Sequence, residues 1–334
     1  MIISRTPLRI SFFSGGSDMP AFYKKETGAA LSATINKYVY VMVHETPHMG
    51  ESVELRTIYD IVESHANVEK MKHLITKESL KMFDKTKGLT IGSISDIFTK
   101  GSGLGSSSAF TVGLINALNA GSFNIPTRTW LAETACEIEM DRCEYPVGKQ
   151  DQYAAAFGGF NLFEFNKDNS VEVKNIFLSK ETIGKLERNL LLVYSGFGRS
   201  ANDILQKQQS AMSNLAKFEM VRRSRNKAYI AKDMLKSGNV DDFGKLLHEG
   251  WLDKKAVESS ITNTFFDNIY ESALRAGATG GKLLGAGGGG FFLFYAPEET
   301  QTQVKEEITK SSEGSCVFYD FRFDDKGSQI VSIS

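Results

Sequence analysis

Nine residues, GSGLGSSSA at Gly101–Ala109, constrain this chain more than any other stretch. Glycines at alternate positions (Gly101, Gly103, Gly105), separated by Ser102 and Leu104, run into Ser106, Ser107 and Ser108 and then an apolar segment through Leu118. Glycine accepts positive φ and lets the backbone approach a ligand closely, so several N–H groups can turn inward together. A helix starting near Ser106 adds unpaired N–H donors and the positive end of its dipole. The combination is a cradle for phosphate. It is not the common P-loop, because no lysine follows Gly105. Charge must then be met by Mg²⁺ and by residues elsewhere, and a serine hydroxyl just inside the helix is placed to be a hard oxygen ligand. A flexible Gly/Ser linker is the alternative that composition alone allows. Linkers rarely feed directly into an amphipathic helix.

Context favours the cradle. Leu89–Phe98 reads as a strand leading into the loop, so the order is strand, loop, helix. A second glycine-rich stretch, Gly277–Ala296, stands directly before a strand, and Gly285 and Gly287–Gly290 cost backbone entropy that only a special conformation justifies. Near the start, residues 2–13 read as strands around Pro7. A turn through Ser14, Gly15, Gly16 and Ser17 then ends in Asp18 and Pro20, ahead of a short helix. Asp18 is either the cap of that helix or, with Arg9, a ligand contact beside a glycine turn.

Residues 31–63 carry three or four strand-like segments, Asn67–Phe83 has helical period, and Thr127–Arg142 reads as one helix with an acidic face. Asp151 differs from those acids. It follows Pro146 and Gly148 and opens a run of small residues, which makes it a candidate base or, equally, a first-turn acid stabilised by the dipole. Asn189–Ser195 is a continuous apolar run, a buried strand ending in a loop that holds Arg199. Residues 202–275 are largely helical, with His248 and Trp251 read as packing residues. A helix over Pro297–Ser311 and a strand over Ser315–Phe323 close the chain.

With 334 residues, 41% of them hydrophobic, the chain can bury a large core and suggests two domains. A net charge of −1 argues against nucleic acid or a membrane surface as the main partner. Cys136, Cys143 and Cys316 form no even framework, so reduced thiols are expected. His44, His48, His65 and His73 share no metal spacing. The first apolar stretch contains Arg5, Pro7 and Arg9, unlike a signal peptide, and no apolar run is long enough to span a membrane. A cytoplasmic location is the expectation.

Three motifs in order, PLRISFFSGGSD at Pro7–Asp18, GSGLGSSSA at Gly101–Ala109 and KLLGAGGGGFFLF at Lys282–Phe294, give the chain its likeness. It resembles the GHMP small-molecule kinases, and within them the branch acting on heptose 7-phosphates, through GKQDQYAAAFGGFN (Gly148–Asn161), GRSANDIL (Gly198–Leu205) and HEGWLDKK (His248–Lys255). Two positions depart from that pattern: Ser14 where glycine is usual, and Thr99 where proline opens the phosphate loop.

The resemblance implies a two-domain α+β fold. An N-terminal domain over residues 1–185 would carry the nucleotide loop, and a C-terminal domain over 186–334 would pack helices on an antiparallel sheet, with the boundary near residues 180–195. It implies ATP as donor and a small sugar phosphate as acceptor, and it leaves room for a homodimer. Asp151 would act as base or orienting carboxylate with Arg9 beside it. Ser107 and Glu139 would be Mg²⁺ ligands, and Gly101–Ser108 would bind the nucleotide. Ser14, Gly15, Gly16, Ser17, Asp18, Arg199, Gly287 and Gly288 would meet the substrate.

Overall fold

The computed structural model describes residues 1–13, 16–46, 55–98, 101–120, 125–198 and 202–333. Ser14, Gly15, His48, Thr99 and Arg199 lie outside the described residues.

One sheet of eight strands forms the first layer. Its path runs β12 (Gln329–Ile333), β1 (Ile2–Phe13), β2 (Gly28–Glu45), β5 (Leu89–Ser95), β3 (Leu55–Ile58) and β4 (Val62–His65). β6 (Phe160–Phe165) also pairs with the long β2 and carries β7 (Val171–Asn175) at its side. All these pairings are antiparallel except that of β3 with β5. β1 is a single strand, bulged between Pro7 and Leu8, because proline has no N–H to give the ladder. β2 begins ten residues before the run Tyr38–His44 that its aromatic and β-branched residues betray. Its first half is built from small residues (Ala29, Ala30, Ser32, Ala33), all buried, whose β-propensity is low.

Four antiparallel strands form the second sheet, in the order β11 (Val317–Tyr319), β8 (Leu190–Tyr194), β10 (Phe291–Tyr295) and β9 (Gly280–Leu283). Phe292 and Phe294 of β10 pack with Trp251, Phe266, Tyr270 and Val304, all buried. Trp251 and His248 are packing residues: the Trp251 ring lies 5.9 Å from that of Tyr270, whose hydroxyl sits 2.8 Å from His248 Nδ1.

The chain leaves the first sheet after β7 and enters the second at β8. β12 then returns to pair with β1, so residues 329–333 belong to the N-terminal sheet, across a cut at residue 185. Nothing local in QIVSI announced that pairing; β1 supplies it.

Two helical segments also differ from the expectation. Asn67–Phe83 is split into a 3₁₀ turn at Val68–Lys70 and a helix at Leu74–Met82, with His73 as the second one's N-cap, accepting from the Thr76 N–H. Thr127–Arg142 is α-helical only over Arg128–Cys136 and widens to a π-turn over Glu137–Arg142. Such turns recur at functional sites, and this one carries Glu139. No helix among the described residues is long and apolar enough to cross a membrane.

Candidate active site

The loop before the helix Ser106–Asn119 takes left-handed conformations at Gly101 (φ +66°), Gly103 (φ +76°) and Gly105 (φ +73°). A second wall holds it in place. A Cβ on Gly285 would lie 2.5 Å from Gly103 Cα, and one on Gly290 would lie 2.4 Å from the Ser102 carbonyl. Phe291 N–H donates to that carbonyl across 3.0 Å. The two glycine clusters are therefore a single interlocked unit, with the C-terminal loop backing the N-terminal one. Gly101, Ser102, Gly103, Gly105, Ser106, Ser107 and Ser108 line a cleft of about 450 Å³. Leu104 points into the core, and its carbonyl accepts from the Arg9 N–H at 3.0 Å.

Arg9 and Asp151 meet at the other side of that loop. The Arg9 guanidinium is buried and grips the carboxylate twice, Nε to Oδ1 at 2.8 Å and Nη2 to Oδ2 at 2.7 Å. Its Nη1 donates to the Gly103 carbonyl at 2.6 Å. One arginine thus ties the glycine loop to the carboxylate, in the fork geometry that lysine lacks. Gln150 Nε2 donates to Asp151 Oδ1 at 3.2 Å, and Ser11 Oγ donates to Gln150 Oε1 at 2.9 Å. Sequence reasoning missed Ser11 and Gln150. The strand period places Ser11 on the side of Arg9, which was the available signal.

Gly16 and Asp18 line the same cleft as Asp151. Asp18 does not cap the helix Pro20–Tyr23; Met19 occupies that position, and the Asp18 carboxylate accepts from the Gln150 N–H at 3.4 Å. Three of the substrate-contact expectations land elsewhere. Ser17 is fully buried and exchanges bonds with the Ala29 backbone at 2.8 and 3.1 Å. Gly287 and Gly288 turn against Ile261, whose carbonyl accepts from the Gly288 N–H at 2.8 Å, while Gly285 and Ala286 line the cleft instead.

Glu139 reaches the cleft from the π-turn and is almost fully buried. Three donors converge on its carboxylate: Thr111 Oγ1 at 2.5 Å, Ser108 Oγ at 2.8 Å and Gln152 Nε2 at 2.5 Å. Ser108, rather than Ser107, makes the direct bond; Ser107 is exposed on the cleft wall. Burial outweighs these bonds and pushes the Glu139 pKa up to about 7. The folded protein therefore keeps this proton above the pH at which the unfolded chain loses it. Its contribution to stability is full below about 4.5 and is lost as pH rises to about 7. Urea midpoints of the ligand-free protein, measured across that window, are expected to fall relative to those of Glu139→Gln. Parallel pH profiles would contradict this.

Two lysines complete the wall; both lie in motifs quoted for the family likeness, and neither was named as a site residue. Lys254 and Lys282 are buried and line the cleft, and among the described residues they donate only to backbone carbonyls. A lysine on the buried stripe Leu247, Trp251, Lys254, Val257, and another inside a buried strand, were the legible signs.

A family model described as the GHMP kinases N terminal domain matches residues 68–159, and one described as GHMP kinases C terminal matches residues 230–314. The chain is 28% identical over 319 residues to a D-glycero-alpha-D-manno-heptose 7-phosphate kinase of Campylobacter jejuni, covering 92% of this chain and 93% of that one. It is 24% identical to a bifunctional fucokinase/GDP-fucose pyrophosphorylase of Arabidopsis thaliana, over 94% of this chain but only 32% of that protein. The crystal structure of a D-glycero-D-manno-heptose 1-phosphate kinase from Bacteroides thetaiotaomicron superposes with a TM-score of 0.78, at 26% identity and over 100% of both chains.

Proposed function

The chain belongs to the GHMP kinase family and is a phosphotransferase that uses ATP and an alcohol acceptor; from that premise we propose that its acceptor is the anomeric hydroxyl of D-glycero-D-manno-heptose 7-phosphate, giving the 1,7-bisphosphate. The observation that carries the reading is the bridge from Gly103 through Arg9 to Asp151, which fixes a carboxylate beside the phosphate cradle. The likeness over almost the whole length of the Campylobacter jejuni kinase supports the choice of sugar.

Phosphoryl transfer asks the protein for position and charge more than for covalent chemistry. The glycine loop and the start of the helix Ser106–Asn119 receive the triphosphate. Asp151, its side chain partly open to the cleft, orients the sugar hydroxyl and takes its proton late. Asp18 and Gly16 border the same space and would meet sugar hydroxyls. Mg²⁺ suits the donor set: Ser107 offers a hydroxyl on the cleft, and Glu139, with three donors among the described residues, keeps one carboxylate lone pair. Bound there, the ion would offset charge on the donor phosphates.

The 7-phosphate needs a cation away from Asp151. Arg199, outside the described residues, is the sequence-based candidate, since arginine pairs N–H groups to phosphate. Arg199→Ala is expected to raise KM for the heptose phosphate at least ~10-fold, from the loss of charge-assisted bonds, and to leave KM for ATP unchanged.

A second reading, a kinase for an unphosphorylated sugar such as fucose, is supported by the Arabidopsis thaliana relative. A coupled ADP-release assay separates them across heptose 7-phosphate, heptose 1-phosphate, heptose, fucose and galactose. Highest kcat/KM on the 7-phosphate supports the proposal; faster turnover of any unphosphorylated sugar, or of the 1-phosphate, overturns it.

A further inference from the structure

Buried cations in proteins are paired with an anion, because desolvating an unpaired charge is costly. Arg9 obeys this rule through Asp151. Lys254 and Lys282 do not. Among the described residues, no aspartate or glutamate lies within ion-pair distance of either, although both side chains are more than nine-tenths buried. The Lys254 ammonium donates to the carbonyls of Leu283 (2.8 Å) and Gly285 (2.6 Å), with partial cover from the Trp251 ring, 5.8 Å away. Lys282 donates to the Phe12 carbonyl at 2.8 Å. An ammonium has three donors, so among the described residues one N–H on Lys254 and two on Lys282 are left for a ligand. Both residues line the cleft that holds Asp151 and the glycine loop.

Their electrostatics agree with this geometry. Burial, then repulsion from Lys282 and Arg9, holds the Lys254 pKa well below the usual lysine range, and burial with Arg9 beside it brings Lys282 down to about 7. Three basic side chains crowd one wall, and among the described residues only Arg9 has a carboxylate paired with it. That is a wall short of negative charge.

We propose that Lys254 and Lys282 together form the site that takes the phosphoryl group in transfer, supplying from the C-terminal half the cationic contact that the glycine loop lacks. The proposal rests on the kinase reading above. Arg9, the third charge of the cluster, is bonded to Asp151, so the anion they serve is the one at the reacting end and not a phosphate at the far end of the sugar. The carbonyl of Gly285 ties Lys254 to the loop that backs Gly103, which places its head relative to the phosphate cradle.

The test uses Lys254→Gln and Lys282→Gln, which keep a donor for the carbonyls and remove the charge. Each variant is expected to lose at least ~10-fold in kcat, the smaller end of what one charge-assisted hydrogen bond supplies. Affinity for the non-hydrolysable ATP analogue AMPPNP should fall by a similar factor, while affinity for ADP, which lacks the γ-phosphate, should hold. The nucleotide measurements need no sugar, so they decide the lysine site even if no heptose phosphate is turned over. If the variants fold poorly, cyanate carbamylation of the wild-type protein, mapped by mass spectrometry, gives the same answer: AMPPNP should slow modification of Lys254 and Lys282, and ADP should not. Unchanged kcat and AMPPNP affinity in both variants, equal protection by ADP and AMPPNP, or a loss confined to KM for the sugar phosphate would overturn the proposal.

Discussion

Asp151→Asn is expected to lower kcat by about 10²- to 10⁴-fold, the range general-base contributions span, while the affinity for ADP stays close to that of the wild type. Asparagine keeps the size of the side chain and one acceptor oxygen. It removes the charge and turns an amide N–H₂ toward one arm of Arg9, which now donates to both carboxylate oxygens. Arg9 is then a buried cation without its anion, so a lower thermal midpoint is expected as well. Kinetics measured well below that midpoint separate the two effects. Near-normal turnover would return Asp151 to the simpler role of an acid in the first turn of the helix Gln150–Phe157.

Gly285→Ala should be nearly as severe for a different reason. Gly285 sits at φ +62°, where an alanine costs roughly 1–2 kcal/mol. Its new Cβ would also stand 2.5 Å from Gly103 Cα and 3.1 Å from the Gly103 carbonyl oxygen, both backbone atoms that cannot rotate away. The two loops must separate, and the N–H groups of the cradle move with them. We expect at least ~10-fold weaker ADP binding, since each misplaced charge-assisted bond is worth about 1.5–3 kcal/mol. Gly314→Ala is the control: φ is +79°, but nothing lies within 4 Å of the added Cβ. It should show the conformational cost and keep normal nucleotide affinity. Equal effects of the two substitutions would mean that the loops do not support one another.

What the sequence made legible follows from how local the cause is. Gly101, Gly103 and Gly105 have positive φ, and the helix begins at Ser106, because those are properties of neighbouring residues. The contact of Arg9 with Asp151 spans most of the N-terminal half and entered only through the family resemblance. Gly287 and Gly288 show the limit of composition. The glycine run had a reason to exist, but the reason is Ile261 and the Ser102 carbonyl, neither of which its spacing could name. The π-turn that delivers Glu139 has the same polarity pattern as an ordinary helix, so Thr127–Arg142 read as one piece. Lys254 and Lys282 were hidden because a charged residue on a solvated face and one on a buried stripe look alike until the partner surface is known.

The position of the transferred phosphate distinguishes an anomeric kinase from every other sugar kinase. Purified protein, ATP, Mg²⁺ and D-glycero-D-manno-heptose 7-phosphate should be followed by ³¹P and ¹H NMR until ADP stops accumulating. A second sugar phosphate resonance, coupled to the anomeric proton, is expected to grow in step with ADP while the 7-phosphate signal persists. A phosphate on any other hydroxyl, or ADP released without a new sugar phosphate, would contradict anomeric transfer.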